Sequence, residues 1–371
     1  MRTKRLIYGA AVVALVLAAG CSKQSHIERK RDEARERWAV SRAEMVTKLA
    51  RGEHEKGNFA RARQQLDPLI RSSTPYAPAY VLSARLAADQ GHLDEALGYA
   101  CTATATDENL ADAWYVRGTI EQTLGDPQAA LNAYGKASSL EPADSRYVMA
   151  EAEMLVATEH VDGAATCLAG ACSRLPGSAE LHAALGDVRS RQSQYAEAAG
   201  LYRIALRLDP TNTAPRERLA IALFRSGAYA EAEPLLADLQ ASEPDFAIVW
   251  VCQMRADCLL ALRRVEAAQA LYQERADAAP DEAAPWVGLA RCDILRDRLP
   301  EARRHLEEAL ARRPRHAEAN GLIGYVLTAT GRPGEAVPHL RLAMKDPACT
   351  DRDTIERLLA HAEEAAVTRT P

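Results

Sequence analysis

The stretch ADAWYVRGTIEQTLGDPQAALNAYGKASSLEPAD, Ala111 to Asp144, decides the fold. Two runs of helix length are separated by Gly125-Asp126-Pro127 and closed by Pro142. Glycine caps the first run in the left-handed conformation, and proline opens the second where its missing N–H costs nothing. The same design returns every 34 residues, for example from Ala179 and from Ala283. Nine units align, beginning at Ala43, Ala77, Ala111, Ser145, Ala179, Thr213, Val249, Ala283 and Ala317, with one two-residue slip at Ala247-Ile248.

Two columns carry the alignment. The eighth place holds Ala50, Ala84, Gly118, Ala152, Gly186, Ala220, Ala256, Ala290 and Gly324, all small. The twentieth holds Ala62, Ala96, Ala130, Ala164, Ala198, Ala232, Ala268, Ala302 and Ala336, all alanine. A small residue on each of two facing helices lets their axes approach closely, as a packed helical hairpin requires. Four residues on, Tyr134, Leu168, Tyr202, Leu236, Tyr272, Leu306 and Leu340 occupy the same helical face. Gly57, Gly91, Gly125, Gly227 and Gly331 end the first helix of their units, and Pro142, Pro176, Pro210, Pro244, Pro280 and Pro314 close the second.

This pattern resembles the tetratricopeptide repeat family from about Ala43 to Thr350. The resemblance implies an all-α solenoid of about nine helix-turn-helix units, stacked into a right-handed superhelix with a concave groove, and with one irregular unit near 247–282. Such stacks need polar caps. Asp351–Ala366 reads as the C-terminal capping helix, with Ile355, Leu358, Leu359 and Ala362 on one face and a tail to residue 371. Ile27–Arg42 is highly charged and reads as a helix, either an N-terminal cap or a stiff spacer.

The first twenty residues differ in kind. Arg2, Lys4 and Arg5 precede an uncharged run, Leu6 to Ala19, in the layout of a secretory signal. The run is shorter than the roughly 20 residues that span a membrane. Leu17-Ala18-Ala19-Gly20-Cys21 resembles the lipobox of bacterial lipoproteins. That resemblance implies a signal peptide over 1–20, acylation of Cys21, a tether over 21–42 and insertion of the lipid into the bilayer. Ser22 after the cysteine then implies the outer membrane, facing the periplasm. The alternative is an ordinary signal peptide with Cys21 incidental. Cleavage before Cys21 would take the formal charge from −5 to −8, which gives no nucleic-acid-binding stripe.

No catalytic or cofactor motif occurs: neither His-Glu-x-x-His, nor a Walker loop, nor GxSxG, nor a dinucleotide fingerprint. Seven cysteines remain after Cys21, an odd number without a CxxC pair. Cys258 and Cys292 share the tenth place with Leu86, Ile120 and Val326, so they read as buried apolar fillers.

In this family ligands lie against the inward face of each first helix. Carried over, the early inward places are Glu44, Thr47, Arg51, Arg85, Asp112, Tyr115, Thr119 and Gln122, mostly polar. Later ones are Glu217, Ile221, Phe224, Trp250, Asp257, Leu260, Val287, Arg291, Ile294, Leu295 and Tyr325. An apolar groove with aromatic anchors suits a peptide or protein segment. The same residues could instead pack neighbouring inner helices together. Arg51, Arg85 and Thr119 stand where a carboxylate clamp would have asparagine. The expectation is a non-enzymatic, membrane-anchored scaffold for an envelope, export or secretion machine. Two alternatives are a glycan-binding module using Trp250 and groove tyrosines, and the regulatory subunit of an envelope enzyme. Trp114 and Trp286, at the fourth place, are expected to pack within their hairpins.

Overall fold

A computed structural model describes residues 2–242, 248–346 and 352–368, with side chains for 29–242, 250–346 and 352–367. Among the described residues there are nineteen helices and no strand. They fall into two compact units, 1–181 and 182–371, divided within one helix. The first unit holds α1 (Arg2–Glu55), α2 (Phe59–Ile70), α3 (Ala77–Asp89), α4 (Leu93–Thr106), α5 (Ala111–Thr123), α6 (Pro127–Leu140), α7 (Ser145–Ala157) and α8 (Val161–Arg174). After α9 (Ala179–Arg191), which crosses the division, the second holds α10 (Tyr195–Leu208), α11 (Ala214–Arg225), α12 (Tyr229–Ser242), α13 (Ile248–Ala261), α14 (Val265–Ala278), α15 (Ala283–Leu295), α16 (Leu299–Arg312), α17 (Ala317–Ala329), α18 (Pro333–Met344) and α19 (Arg352–Thr368).

From the second repeat on, the first helices start within one residue of the expected unit starts. The slip expected at Ala247-Ile248 runs into residues outside those described, and the helix starts bound it between Tyr229 and Val265. Val265 opens α14 two residues later than the spacing of Tyr195 and Tyr229 would place it. Five of the six closing prolines stand two residues beyond a helix end; Pro244 lies outside the described residues.

The alanine column explains the packing. All nine twentieth-place alanines are fully buried, at 0% exposure. The residue four later is buried beside them and presses on the eighth place across the hairpin. At Gly118 a Cβ would come within 2.8 Å of the Tyr134 ring, and at Gly186 within 2.7 Å of Tyr202. Glycine stands at those two eighth places because the facing side chain is a tyrosine that lies on the backbone itself. Cys258 and Cys292 are fully buried fillers, as read. Burial pushes their thiols up, to about 12 and about 11, which keeps them protonated and unreactive.

The turn column is more uniform than its glycines suggest. Gly57, Gly91, Gly125, Gly227 and Gly331 have φ between 76° and 83°. The same place in the other four units holds Glu159, Ser193, Arg263 and Asp297, with φ of 64°, 60°, 61° and 57°. All nine turns are therefore left-handed, and four are made by residues with a Cβ.

At the N-terminus α1 is continuous from the charged segment into the first repeat. Its side chains from Arg29 to Arg42 are exposed apart from half-buried Ala39, so this segment does not fold back as a cap. Cys21 lies outside the residues whose side chains are described. At the C-terminus α19 packs on α18 and α17 through buried Ile355 and Ala362, with Leu358 and Leu359 partly buried, as expected of a cap.

A left-handed L-residue costs about 1–2 kcal/mol, more than the roughly 0.5–1 kcal/mol of chain entropy that glycine loses. Glu159→Gly and Arg263→Gly should each stabilise their hairpin by about 0.5–1 kcal/mol in urea unfolding, and Gly125→Ala should destabilise by a similar amount. In the core, Gly186→Val should cost about 1–3 kcal/mol by driving into Tyr202.

Candidate binding surface and C-terminal cavity

The inward face begins at the ninth place of each first helix, one residue past the packed eighth. Where the outer helix carries a tyrosine in the column after the alanine, its hydroxyl crosses the hairpin to that face. Tyr202 donates to Asp187 Oδ1 at 2.8 Å and Tyr272 to Asp257 Oδ1 at 2.7 Å. Tyr134 reaches Gln122 Oε1 at 2.8 Å and Thr119 Oγ1 at 3.3 Å. Burial raises all three phenols further, so each stays a neutral donor. Arginines complete the network. Arg218 pairs with Asp187 at 2.6 Å, and Arg291 pairs with Asp257 at 2.8 Å and Glu318 at 3.8 Å. Arg85 pairs with Asp112 in the same ninth-to-second-place pattern.

The fourth place has its own role. Trp114 Nε1 donates to the Glu108 carbonyl at 2.8 Å, Trp286 Nε1 to Pro280 at 3.4 Å, and Asn320 Nδ2 to Pro314 at 3.0 Å. In each case the donor ties down the turn six residues earlier. Their packing within hairpins was expected; this hydrogen bond was not. The indole faces are also covered, by Arg117 at 5.6 Å over Trp114 and by Arg312 at 4.6 Å over Trp286.

The expected groove residues divide by environment. Leu260 and Val287 are corrections: at 4% and 3% exposure they are core, joining inner helices to their neighbours. Trp250 is a second correction. It is half-buried on the cluster of Leu219, Leu223 and Val251, with Phe224, and is not an exposed anchor. Phe224 packs edge-on to Tyr229 at 5.7 Å, and Ile221 is half-buried. In the first unit Tyr115 lies between Tyr134 and Tyr147 at 5.6 and 5.2 Å, and Thr47 is buried. Arg291 is held by its two carboxylates. That leaves Ile294, Leu295 and Tyr325.

Ile294 and Tyr325 line one cavity of about 940 Å³ in the second unit, and Leu295 is exposed but does not line it. The cavity is bounded by α15, α17, α19 and the turn before α17. Leu322, Ile355 and Leu358 add apolar wall, while Arg313, Arg315, His316, Glu318 and Asp346 add charge and polarity. Among the described residues Arg313 and Arg315 have no hydrogen-bonded or ion-paired partner for their side chains. His316 caps α17, its Nδ1 accepting from Ala319 N at 3.3 Å. Treating α19 only as a cap hid its share of this wall. Its signal was in the sequence, since Ile355 and Leu358 were already placed on the apolar face.

Tetratricopeptide repeat profiles match residues 47–111, 111–144, 191–258 and 295–348. The chain belongs to the tetratricopeptide repeat family. No curated protein matches it. Solved structures that it resembles include a tetratricopeptide repeat protein from Parabacteroides merdae, at 16% identity and a TM-score of 0.44 over 68% of this chain and 98% of that one. Another is PilF of Pseudomonas aeruginosa, at 17% identity and 0.43 over 56% and 94%. A third is yeast Tom70, at 12% identity and 0.42 over 88% and 96%.

The last tetratricopeptide hairpin carries a pH dependence. Burial lowers the His316 imidazole below its ordinary value, with Glu318 opposing, and burial likewise lowers His339. His339 Nδ1 lies 2.8 Å from Asn320 Oδ1, in the residue that pins the Pro314 turn. With folded values depressed, the unfolded chain binds more protons. The contribution is complete above the ordinary histidine value of about 6.5 and is lost as pH falls through the folded values. Urea unfolding of the 317–344 hairpin should show lower stability at pH 5 than at pH 7.5. In the double variant His316→Asn/His339→Gln that difference should shrink; an unchanged pH slope would refute the assignment.

Proposed function

We propose that this tetratricopeptide protein is a non-enzymatic scaffold, anchored by lipid at Cys21 to the periplasmic side of the bacterial outer membrane. Its C-terminal cavity takes a segment of a protein partner. The observation that carries this reading is the cavity itself. Its volume lies in the range of ligand sites, about 300–1,000 Å³. Its walls are aliphatic and aromatic, and two arginines at its edge have no partner among the described residues. Tyr325, 40% exposed, supplies the kind of aromatic anchor that dominates binding at such surfaces. Envelope location and anchoring rest on the lipobox-like segment.

The cavity favours a protein ligand over a glycan. Sugar recognition by tryptophan needs an open indole face; in the repeats an arginine lies over one face of Trp114 and of Trp286, and Trp250 is half-buried against the cluster of Leu219 and Leu223. The scaffold reading is also the family's general one, since tetratricopeptide domains typically bind protein partners.

Photocrosslinking from position 325 in cells should capture one or a few proteins, and Tyr325→Ala or Arg315→Glu should abolish capture without lowering stability. Trp250→Ala should lower stability by at most about 3–5 kcal/mol, as truncation of large core aromatics does, and should lose capture only through unfolding. Glycan alone, or nothing, captured from position 325 would sink the protein-scaffold reading. Separately, Cys21→Ala should release the folded chain from salt-washed membranes; retention would mean that Cys21 is not the anchor.

A further inference from the structure

The repeat register exposes a surface that the groove reading leaves unused. In the later units the third place holds Ala79, Ala113, Tyr147, Pro215, Val251, Pro285 and Ala319, each buried where its helix packs on the one before. The seventh place is buried at Ser83, Leu185, Leu219, Leu289 and Ile323 and half-buried at Arg117, Glu151 and Arg255. In the first unit these places are Met45 and Leu49. Among the described residues no other helix covers them, and they are 66% and 59% exposed. Trp38, 65% exposed, lies seven residues before Met45. At 100° per residue, Trp38, Met45 and Leu49 fall within a 40° arc of α1, with the Arg42 guanidinium 5.6 Å over the Trp38 ring. A solenoid end is ordinarily polar. This one carries a three-residue apolar stripe that includes the most exposed tryptophan, and exposed apolar stripes of this size mark contact surfaces.

We propose that this stripe is a self-association surface, on which α1 of a second copy packs antiparallel about a two-fold axis near Met45. The observations select a second copy in three ways. First, the surface is the one that a helix covers in the later units, so a helix is the shape it fits. Second, head-to-tail stacking is closed off because α19 already occupies the other end, on α18 and α17. The remaining symmetric pairing is N-terminus to N-terminus, and a closed two-fold interface is self-complementary by construction. Third, the stripe complements itself in that register. An axis at Met45 sets each residue against the one equally far beyond it. Trp38 then lies opposite Gly52 of the second copy, where a Cβ would meet nothing within 4 Å, so a bulky ring faces an open place. Arg35 and Glu53 are five helical turns apart and share one flank; Arg37 and Glu55 share the other. In an antiparallel two-fold pair like flanks face each other, which sets Arg37 against the exposed Glu55 of the second copy, while Glu53 already accepts from Lys56 at 3.2 Å and from Asn58 at 2.9 Å within its own chain. Arg35 and Arg37 now pair only with Asp32 and Glu33 on their own helix, at 3.3 and 3.7 Å and 80% and 82% exposed. Such pairs exchange partners at little cost.

The test uses the full chain, in its native membrane and purified. Met45→Cys places a thiol at the axis. A short bis-maleimide should join it to its counterpart and give a covalent dimer. Val40→Cys, exposed on the other side of α1, and the unsubstituted chain should not. In sedimentation the purified chain should form a dimer that Leu49→Glu weakens a hundredfold or more. Gly52→Glu, which has room in the monomer and improves helix propensity, should abolish the crosslink at position 45 with helical content unchanged. The proposal fails if position 45 does not crosslink, if the chain sediments as a monomer throughout, or if Gly52→Glu leaves the dimer intact. It fails equally if a monomeric chain floats with phospholipid vesicles and Trp38→Ala stops it, which would give the stripe to a lipid surface. Capture from position 325 is independent of all these outcomes.

Discussion

Everything in this chain depends on how closely two helices approach at one point in each hairpin. Nine alanines at the twentieth place, none with measurable exposure, face nine buried small residues at the eighth. Any larger side chain at either place would separate the axes and forfeit contacts along the whole hairpin, because interiors this dense have no slack to redistribute. The hairpin is therefore the rigid part and the connection between hairpins the adjustable one. The two-residue slip obeys this rule. It falls between the start of α12 at Tyr229 and the start of α14 at Val265, and the hairpins before and after keep their 34-residue spacing.

The residue four places after the alanine does more than fill space. Its identity decides what the inward face can offer. Where it is tyrosine, the hydroxyl engages the opposite inner helix, and the ninth place there is Thr119, Asp187 or Asp257. Where it is leucine in the second unit, as at Leu236, Leu306 and Leu340, no hydroxyl arrives, and the ninth place is Ile221, Arg291 or Tyr325. A core choice on the outer helix thus sets the chemistry of the inner surface. Tyr325 remains exposed because Leu340 beneath it makes no polar demand and no later arginine reaches it, whereas Arg291 is neutralised by Asp257 and Glu318.

This coupling also marks how far the sequence could be read. Helix boundaries, the capping face of α19 and the buried cysteines were all legible, because each follows from a period or from a residue type repeated in register. The four left-handed turns at Glu159, Ser193, Arg263 and Asp297 were not, since nothing in those side chains announces a positive φ; only the column shared with five glycines does. Leu260 and Val287 were placed on the groove because periodicity assigns a residue to a face and does not say whether the next inner helix covers that face. Trp250 was misplaced for the same reason. Exposure depends on the neighbour, and the neighbour's side chain is outside any single repeat.

The cavity shows the same dependence at the end of the stack. At the fifth place of the penultimate repeat Val287 fills the seam between inner helices and is buried. The fifth place of the last repeat is Gly321, and only Ile355 of α19 approaches it, 3.1 Å from where a Cβ would stand. The seam that a valine closes one repeat earlier is left open, and Ile294, Leu322 and Leu358 line the space that results. A closing helix in the position of a tenth first helix, set against a glycine, gives both a sealed outer core and a hollow inner face. Sealing the core needs Ile355 and Ala362 of α19 against α18. Keeping the hollow needs Gly321 to have no side chain. The two requirements fall on different residues, so the end of the solenoid can be stable and still present an open site.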